Sequence, residues 1–305
     1  VAIEQTLDIA KIAQKYINAT NRSIFLTGKA GTGKTTFLKH IVQHTHKNTI
    51  VAAPTGIAAI NAGGVTLHSL LQLPFGTFIP DNNATFAGYS DTQINTPKSL
   101  LSKLQLNQQK RAMLREMELL IIDEVSMLRP DILDAIDTIL RSVRRNATPF
   151  GGTQLLFIGD LLQLPPVIKD SEWAMLQSYY KSKYFFSAHV LSEKKPAYLE
   201  LEKIYRQSDH QFISILNNLR SNAVCNEDIN FLNNYYRPDF QADPEQAFIN
   251  LTTHNKKADS INSNSLQKLD GKEYCYRAEI EGDFPPHTFP IEENLVLKSG
   301  AQVMF

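Results

Sequence analysis

The chain has 305 residues, 43% hydrophobic and 20% charged, the balance of a folded protein of two domains, or of one large domain with insertions, and not of a disordered segment. Lysine plus arginine equals aspartate plus glutamate at 31 each, which speaks against a small basic nucleic-acid-binding domain but not against a large motor whose basic groove is offset by acidic surface elsewhere. Cys225 and Cys275 have no metal-ligand spacing around them and read as reduced thiols. No apolar run approaches the roughly 18 residues that a membrane span needs, and Val1-Ala2-Ile3-Glu4-Gln5 has no basic n-region. A soluble, intracellular protein with no membrane partner is expected.

In chain order, residues 23–27 read as a buried strand and 37–44 as a helix with apolar residues three and four apart. Residues 49–53, 119–122, 154–158 and 184–186 read as further buried strands, and 128–143 as a second amphipathic helix. This alternation predicts an α/β fold with a parallel sheet covered on both faces. From 76 to 96 the rhythm breaks into a stretch rich in Pro, Asn, Asp, Thr and Gly, with Phe78, Phe86 and Tyr89 scattered through it and Phe75 just before it. A long irregular stretch inside a compact domain is usually functional or mobile. A polar helix over 97–116 follows. From Tyr205 a second unit is expected, with helices over 208–219, 227–235 and 256–269 and strands over 247–252, 274–280 and 295–305. The last residues, Val303-Met304-Phe305, are apolar and carry no stop signal, so the chain is expected to continue past them.

Two motifs carry chemistry. Gly28-Lys29-Ala30-Gly31-Thr32-Gly33-Lys34-Thr35 fits G-x-x-x-x-G-K-S/T, with a predicted strand before it and a helix from Thr36 after it. Glycines let backbone N–H groups curl around phosphates, and the helix N-terminus adds a favourable dipole. Gly28, Ala30, Gly31, Thr32, Gly33, Lys34, Thr35 and Thr36 therefore form the expected ATP cradle, Lys34 supplying a point charge and Thr35 a Mg²⁺ ligand. The second motif, Leu119-Leu120-Ile121-Ile122-Asp123-Glu124, is an apolar strand ending in two carboxylates. Strand ends in such sheets lie beside the phosphate loop, so Asp123 is expected to hold Mg²⁺ and Glu124 to orient or deprotonate water. Together they predict a P-loop NTPase.

Four further segments resemble those of PIF-family DNA helicases, in the B branch of helicase superfamily one and related to RecD helicases. Ala53-Pro54-Thr55-Gly56-Ile57-Ala58-Ala59, continuing to Thr66-Leu67-His68-Ser69, is similar to the family's DNA-contacting motifs. Asp123-Glu124-Val125-Ser126-Met127 is the family's form of the acidic motif. Gly159-Asp160-Leu161-Leu162-Gln163-Leu164-Pro165-Pro166-Val167 carries the glutamine taken to sense the γ-phosphate, and Tyr205-Arg206-Gln207 the arginine that reaches the phosphates from a second lobe. Asp131, Leu133, Asp134 and Arg141, leading to Gly151-Gly152, resemble the signature that separates PIF from RecD proteins. Thr253-His254-Asn255 also fits. The resemblance implies catalytic roles for Lys34, Glu124, Gln163 and Arg206, and DNA contacts from Pro54, Thr55, Gly56, His68, Ser69, Thr253 and Asn255.

Each element has a plainer alternative. Thr55, His68 and Ser69 are also residues that begin helices, and Arg141, Arg144 and Arg145 read as a solvated helix face. The aromatics of 75–89 are loop anchors or, by resemblance, parts of a strand-separating wedge. Neither Gln5 nor Gln14 is well placed for the adenine-reading glutamine of the family.

The expected architecture is a RecA-like lobe over 1–76 and 97–204, a small wedge-like insertion over 77–96, and an incomplete second RecA-like lobe over 205–305, with ATP and Mg²⁺ between the lobes. Family members continue with an SH3-like insertion and two more motifs, so a truncated form is expected. The implied function is ATP-dependent 5′-to-3′ translocation and unwinding by a monomer acting on single-stranded and on forked or structured DNA, with family roles in replication, repair and telomere maintenance. A RecD-like helicase, a translocase that does not unwind, and a nucleotide-gated single-strand-binding module are the alternatives.

Overall fold

The computed structural model describes residues 9–83, 93–205, 207, 209–240, 248–280 and 291–303. The chain divides into two compact units, Val1–Cys225 and Asn226–Phe305. The first begins with α1 (Ile9–Ala19), β1 (Ile24–Gly28), α2 (Lys34–His44), β2 (Thr49–Ala53), α3 (Gly56–Ala62), β3 (Val65–Thr66) and α4 (Leu67–Leu71). Short strands β4 (Thr77–Phe78) and β5 (Ile94–Asn95) then flank the insertion and pair in parallel. Next come α5 (Pro97–Lys103), α6 (Gln108–Glu116), β6 (Leu119–Ile122), α7 (Pro130–Arg144), β7 (Gln154–Gly159), α8 (Asp170–Leu176), α9 (His189–Glu193), β8 (Ala197–Leu201) and α10 (His210–Arg220).

Six parallel strands lie in the order β3-β2-β6-β7-β1-β8. Strands β1, β6 and β7 are buried along their whole length, because runs such as Leu119-Leu120-Ile121-Ile122 are apolar at every position, as burial on both faces requires. The two-residue period sorts their side chains between two cores. Ile24, Leu26, Ile121 and Ile158 pack with Ile17 of α1 and Leu38 and Ile41 of α2. Phe25, Leu120, Ile122 and Phe157 pack on the other face with Leu133, Ile136 and Leu140 of α7. Truncating one such leucine or isoleucine to alanine costs about 2–5 kcal/mol, so a core on each side holds the strands' carboxyl ends in place.

Helix α7 carries three buried acids spaced by three. Asp131 accepts from Phe78 N at 3.2 Å and from the Arg129 guanidinium at 2.8 and 2.9 Å. Asp134 accepts from the N–H groups of His189 and Val190, both at 3.0 Å, at the start of α9. Asp137 accepts from Phe150 N at 2.6 Å and from Arg141 at 2.7 Å. Burying a carboxylate is costly unless it is hydrogen-bonded, and here each acid pins a separate peripheral segment to one helix. In the turn after Phe150, a Cβ on Gly151 would lie 2.6 Å from Leu140 O, so only glycine fits. Of the arginines expected on a solvated face, Arg145 is exposed but Arg141 and Arg144 are not. Arg141 also pairs with Glu193 at 3.0 Å, and Arg144 donates to the carbonyls of Leu114, Arg115, Met117 and Gly151 at 2.9, 2.7, 2.8 and 2.8 Å. It thereby satisfies the open carbonyl end of α6.

Other expectations are corrected. Residues 184–186 form no strand: Phe185–Ser187 is a 3-10 helix, and Phe185 fills the core against Phe25 and Phe157 at ring distances of 5.3 and 5.0 Å. The sixth strand is β8, a half-exposed edge strand paired with β1. The helix expected over 97–116 is two helices, because Thr96 caps α5 through a capping box with Ser99, and Asn107 caps α6 by accepting from Lys110 N. Phe86 and Tyr89 lie outside the described residues, as does Gln5. Phe78 is buried in the core, in keeping with the loop-anchor alternative.

The second unit contains α11 (Asn226–Asn233), α12 (Asn255–Lys268) and an antiparallel pair, β9 (Glu273–Arg277) and β10 (Asn294–Lys298). Residues 248–252 form no strand, and the strand expected over 295–305 ends at Lys298, where Ser299-Gly300 turns. Lys298 ties this pair together, reaching Glu273 at 3.6 Å and Leu269 O at 3.1 Å. The division after Cys225 leaves α10 with the first unit, whereas the sequence reading starts its second lobe at Tyr205.

Candidate nucleotide site at the carboxyl edge of the sheet

The parallel strands bring the predicted nucleotide residues to one edge, where open α/β sheets bind ligands. Strand β1 ends at Gly28, where a Cβ would meet Leu201 O at 2.5 Å and Thr32 Oγ1 at 2.6 Å; glycine alone lets β8 and the loop close on this point. Ala30, Gly31, Thr32 and Gly33 make the loop, and Lys34, Thr35 and Thr36 the first turn of α2. The Lys34 Nζ folds back, donating to Gly28 O at 2.6 Å and Lys29 O at 3.0 Å. Burial pulls its pKa below 10.5, and the carboxylates of Asp160, Glu124 and Asp123, in that order, oppose the shift. Three acids from two strand ends thus act on one lysine.

Asp123 and Glu124 follow β6. Asp123 is 9% exposed, and burial pushes its pKa up to about 6, against the Glu124 N–H that it accepts at 3.0 Å. The Glu124 charge adds to that rise and the Lys34 charge opposes it. Glu124 itself sits at φ 52°, ψ 45°, a left-handed conformation costing about 1–2 kcal/mol without glycine. Its turn rests on Gly159, where a Cβ would lie 2.9 Å from Val125 N.

Asp160, at the end of β7, is 1% exposed. It accepts from Arg220 Nη1 at 2.7 Å and Gln163 Nε2 at 3.2 Å on Oδ2, and from Leu162 N at 3.2 Å on Oδ1. Burial would raise its pKa, but the bonds from Arg220 and Leu162 hold it below 3.8. The phosphate loop is also tied down from the C-terminal side. Lys29 Nζ donates to Asn217 Oδ1 at 2.7 Å, and Tyr205 N to Gly31 O at 2.8 Å.

Gln163 therefore joins the edge beside Lys34, Asp123 and Glu124, whereas Arg206 lies outside the described residues. Pro54, Thr55 and Gly56 stand at the carboxyl end of β2, and Thr55 caps α3 by accepting from Ala58 N at 3.3 Å. Thr66, not His68 or Ser69, caps α4. Ser69 is exposed. His68 is half-buried against Phe75, with ring centroids 6.3 Å apart, and burial and the nearby Arg129 hold its pKa below 6.5 despite Asp131. Thr253 and Asn255 belong to the second unit, at the start of α12, where Thr253 Oγ1 meets His254 Nδ1 at 2.8 Å. Sequence reasoning missed roles for Asp160, Lys29, Asn217 and Arg220. Only Asp160 had a signal, a carboxylate directly after a buried strand.

A glycine loop and lysine at the end of one central strand, facing acids at the ends of two others on a parallel sheet, define a RecA-like P-loop NTPase. The family model for PIF1-like helicases matches residues 1–229, and the chain belongs to that family. It is 34% identical over 306 residues to the ATP-dependent DNA helicase PIF1 of Danio rerio, covering 97% of this chain and 43% of that protein. It is 31% identical over 310 residues to PIF1 of Saccharomyces cerevisiae, covering 97% of this chain and 32% of that protein. Among solved structures, it is similar to the Pif1 helicase from Bacteroides in complex with ADP-AlF3 and single-stranded DNA, with 38% identity and a TM-score of 0.80, covering 97% of this chain and 64% of that one. The chain spans about a third to two-fifths of the length of these curated relatives. No helix of the described residues is long and apolar enough to cross a membrane.

Proposed function

We propose that this chain supplies the ATP-binding and part of the DNA-binding machinery of a helicase that moves 5′-to-3′ on single-stranded DNA and unwinds forked or structured duplexes as a monomer. The observation that carries the reading is the convergence of Asp123, Glu124 and Asp160 on Lys34 at the carboxyl edge. Similarity to a helicase solved with a nucleotide analogue and single-stranded DNA supports it.

In this reading Lys34 and the N–H groups of the loop bind the β- and γ-phosphates, and Glu124 takes a proton from the attacking water. The donor set fits Mg²⁺. Thr35 and Asp123 offer hard oxygens, which together with phosphate oxygens would make the ligand set usual for Mg²⁺. Bound there, Mg²⁺ would neutralise charge on the phosphates and favour the ionised form of Asp123. Gln163 and Arg206 are proposed to complete the catalytic end of the site. Pro54, Thr55, Gly56, His68 and Ser69, with Thr253 and Asn255 from the second unit, are proposed to hold the DNA backbone.

Strand displacement by the full-length protein tests this reading. A duplex with a 5′ single-stranded tail should be unwound with ATP and Mg²⁺, and one with a 3′ tail should not. Equal unwinding of both, or of neither, contradicts the reading.

A further inference from the structure

Helix α10 closes on the nucleotide edge through two side chains three residues apart, hence on one face. Asn217 holds Lys29 of the phosphate loop at 2.7 Å, and Arg220 holds Asp160 at 2.7 Å. Gln163 is bound to the same aspartate at two points, its N–H donating to Asp160 O at 2.9 Å and its side-chain Nε2 to Oδ2 at 3.2 Å.

We propose that Arg220 is a positioning residue for ATP hydrolysis: by keeping Asp160 ionised, it fixes the sense of the Gln163 amide, nitrogen toward Asp160 and oxygen left over as an acceptor for the attacking water. The inference rests on the nucleotide-site reading above and sharpens the role of Gln163. An ionised carboxylate only accepts hydrogen bonds, so the amide must turn its NH₂ toward Asp160. The remaining Oε1 can orient a water O–H, but it would repel a phosphate oxygen. Gln163 thus acts on the nucleophile, beside the general base Glu124, instead of donating to the γ-phosphate.

Asp160 is almost wholly buried. Without a cationic partner, a buried carboxyl group takes up a proton more readily. It could then donate as well as accept, and the amide would lose its fixed sense. Among the described residues, the charged and titratable groups that act on this pair are Lys34 of α2, itself acted on by Asp123 and Glu124 after β6, and Tyr198 and Glu200 of β8. Lys34 already serves the loop carbonyls, so Arg220 is the cation that bonds to Asp160.

The test is steady-state ATP hydrolysis by the full-length protein with saturating single-stranded DNA, measured against pH. Arg220→Gln should lower kcat by up to about 10²-fold, the usual scale for a misplaced reacting group, with KM for ATP nearly unchanged. The acid limb of its kcat profile should move to higher pH. Arg220→Lys should recover most of the rate and the original limb. Asp160→Asn, nearly isosteric and serving if Arg220→Gln does not fold, should lower kcat at unchanged KM. The double variant should then be no slower than Asp160→Asn alone. A parent-like kcat and pH profile in Arg220→Gln, or a parent-like kcat in Asp160→Asn, overturns the proposal. So does a rise in KM at unchanged kcat, which would make Arg220 a ligand of the nucleotide. Lys34→Ala in the same assay separates the two claims: if it stays active, the nucleotide-site reading itself has failed.

Discussion

The backbone N–H of Glu124 lies 3.0 Å from Oδ1 of Asp123. The two acids that follow β6 differ in setting: Asp123 N donates to Ala52 O at 2.9 Å and the residue is buried, whereas Glu124 is turned to φ 52°. Asp123 is thus buried and Glu124 half-buried, and the charges of both act on Lys34.

Separation of binding from chemistry follows from that difference. Glu124→Gln should bind ATP with near-parent affinity, because the amide is nearly isosteric and Asp123 is untouched. Hydrolysis in the full-length protein should fall by about 10²–10⁴, the worth of a positioned general base. Single-turnover assays check it, and a parent rate would mean that another group activates the water.

Asp123 should cost the fold stability. Its folded pKa is raised to about 6 from 3.8, so its favourable contribution is complete below 3.8 and is lost as pH rises through about 6. Asp123→Asn should therefore be more stable than the parent at pH 7, by about 1–3 kcal/mol, one pKa unit being worth about 1.4 kcal/mol. The gain should shrink as pH falls from 6 toward 4. Urea denaturation at pH 7 and pH 4.5 measures it; a variant less stable at pH 7 contradicts the assignment of burial as the dominant cause.

Asp134 holds the start of α9, accepting from the N–H groups of His189 and Val190. Asp134→Ala strips the acceptor from the N–H groups of His189 and Val190, and leaving buried donors unmet costs about 1–3 kcal/mol each. The urea midpoint should fall while ATP affinity of the folded protein stays the same. An unchanged midpoint would show that α9 is held by its apolar contacts alone.

Much of what the sheet's carboxyl edge brings together was legible because its parts are local in sequence. The loop between Gly28 and Thr35 and the strand ending in Asp123-Glu124 each declare themselves within eight residues, and apolar runs mark the strands that carry them. Strand β8 was not legible, since its Ala-Tyr-Leu-Glu-Leu run is a half-exposed edge with no continuous apolar signal. Phe185 misled in the opposite sense, because a core aromatic in a turn looks like a strand residue. Arg220 and Asn217 act on partners 60 and 188 positions away, and Arg144 spends its charge on carbonyls about thirty residues earlier. No local pattern encodes such contacts.

The DNA contacts proposed for His68 and Ser69 can be tested by salt. His68 is held neutral near pH 7 and Ser69 is uncharged, so both should bond phosphate or sugar oxygens without reading bases. Replacing both with alanine should weaken single-strand binding equally across sequences and leave the salt slope unchanged, whereas removing a phosphate-binding cation lowers that slope by about 1. Fluorescence anisotropy at several salt concentrations decides it. Loss of affinity for one sequence alone contradicts the placement.

The central claim, that the carboxyl edge around Lys34 is a site for ATP, is tested most directly by titrating a fluorescent ATP analogue, with Mg²⁺, into the parent chain and into Lys34→Ala. Among the described residues Lys34 hydrogen-bonds to the loop carbonyls of Gly28 and Lys29, so the variant should unfold at nearly the parent temperature. A charge-assisted hydrogen bond is worth about 1.5–3 kcal/mol, which predicts a loss of about 10- to 100-fold in affinity. Equal affinity in the two proteins, both folded, would place the nucleotide elsewhere and contradict the account.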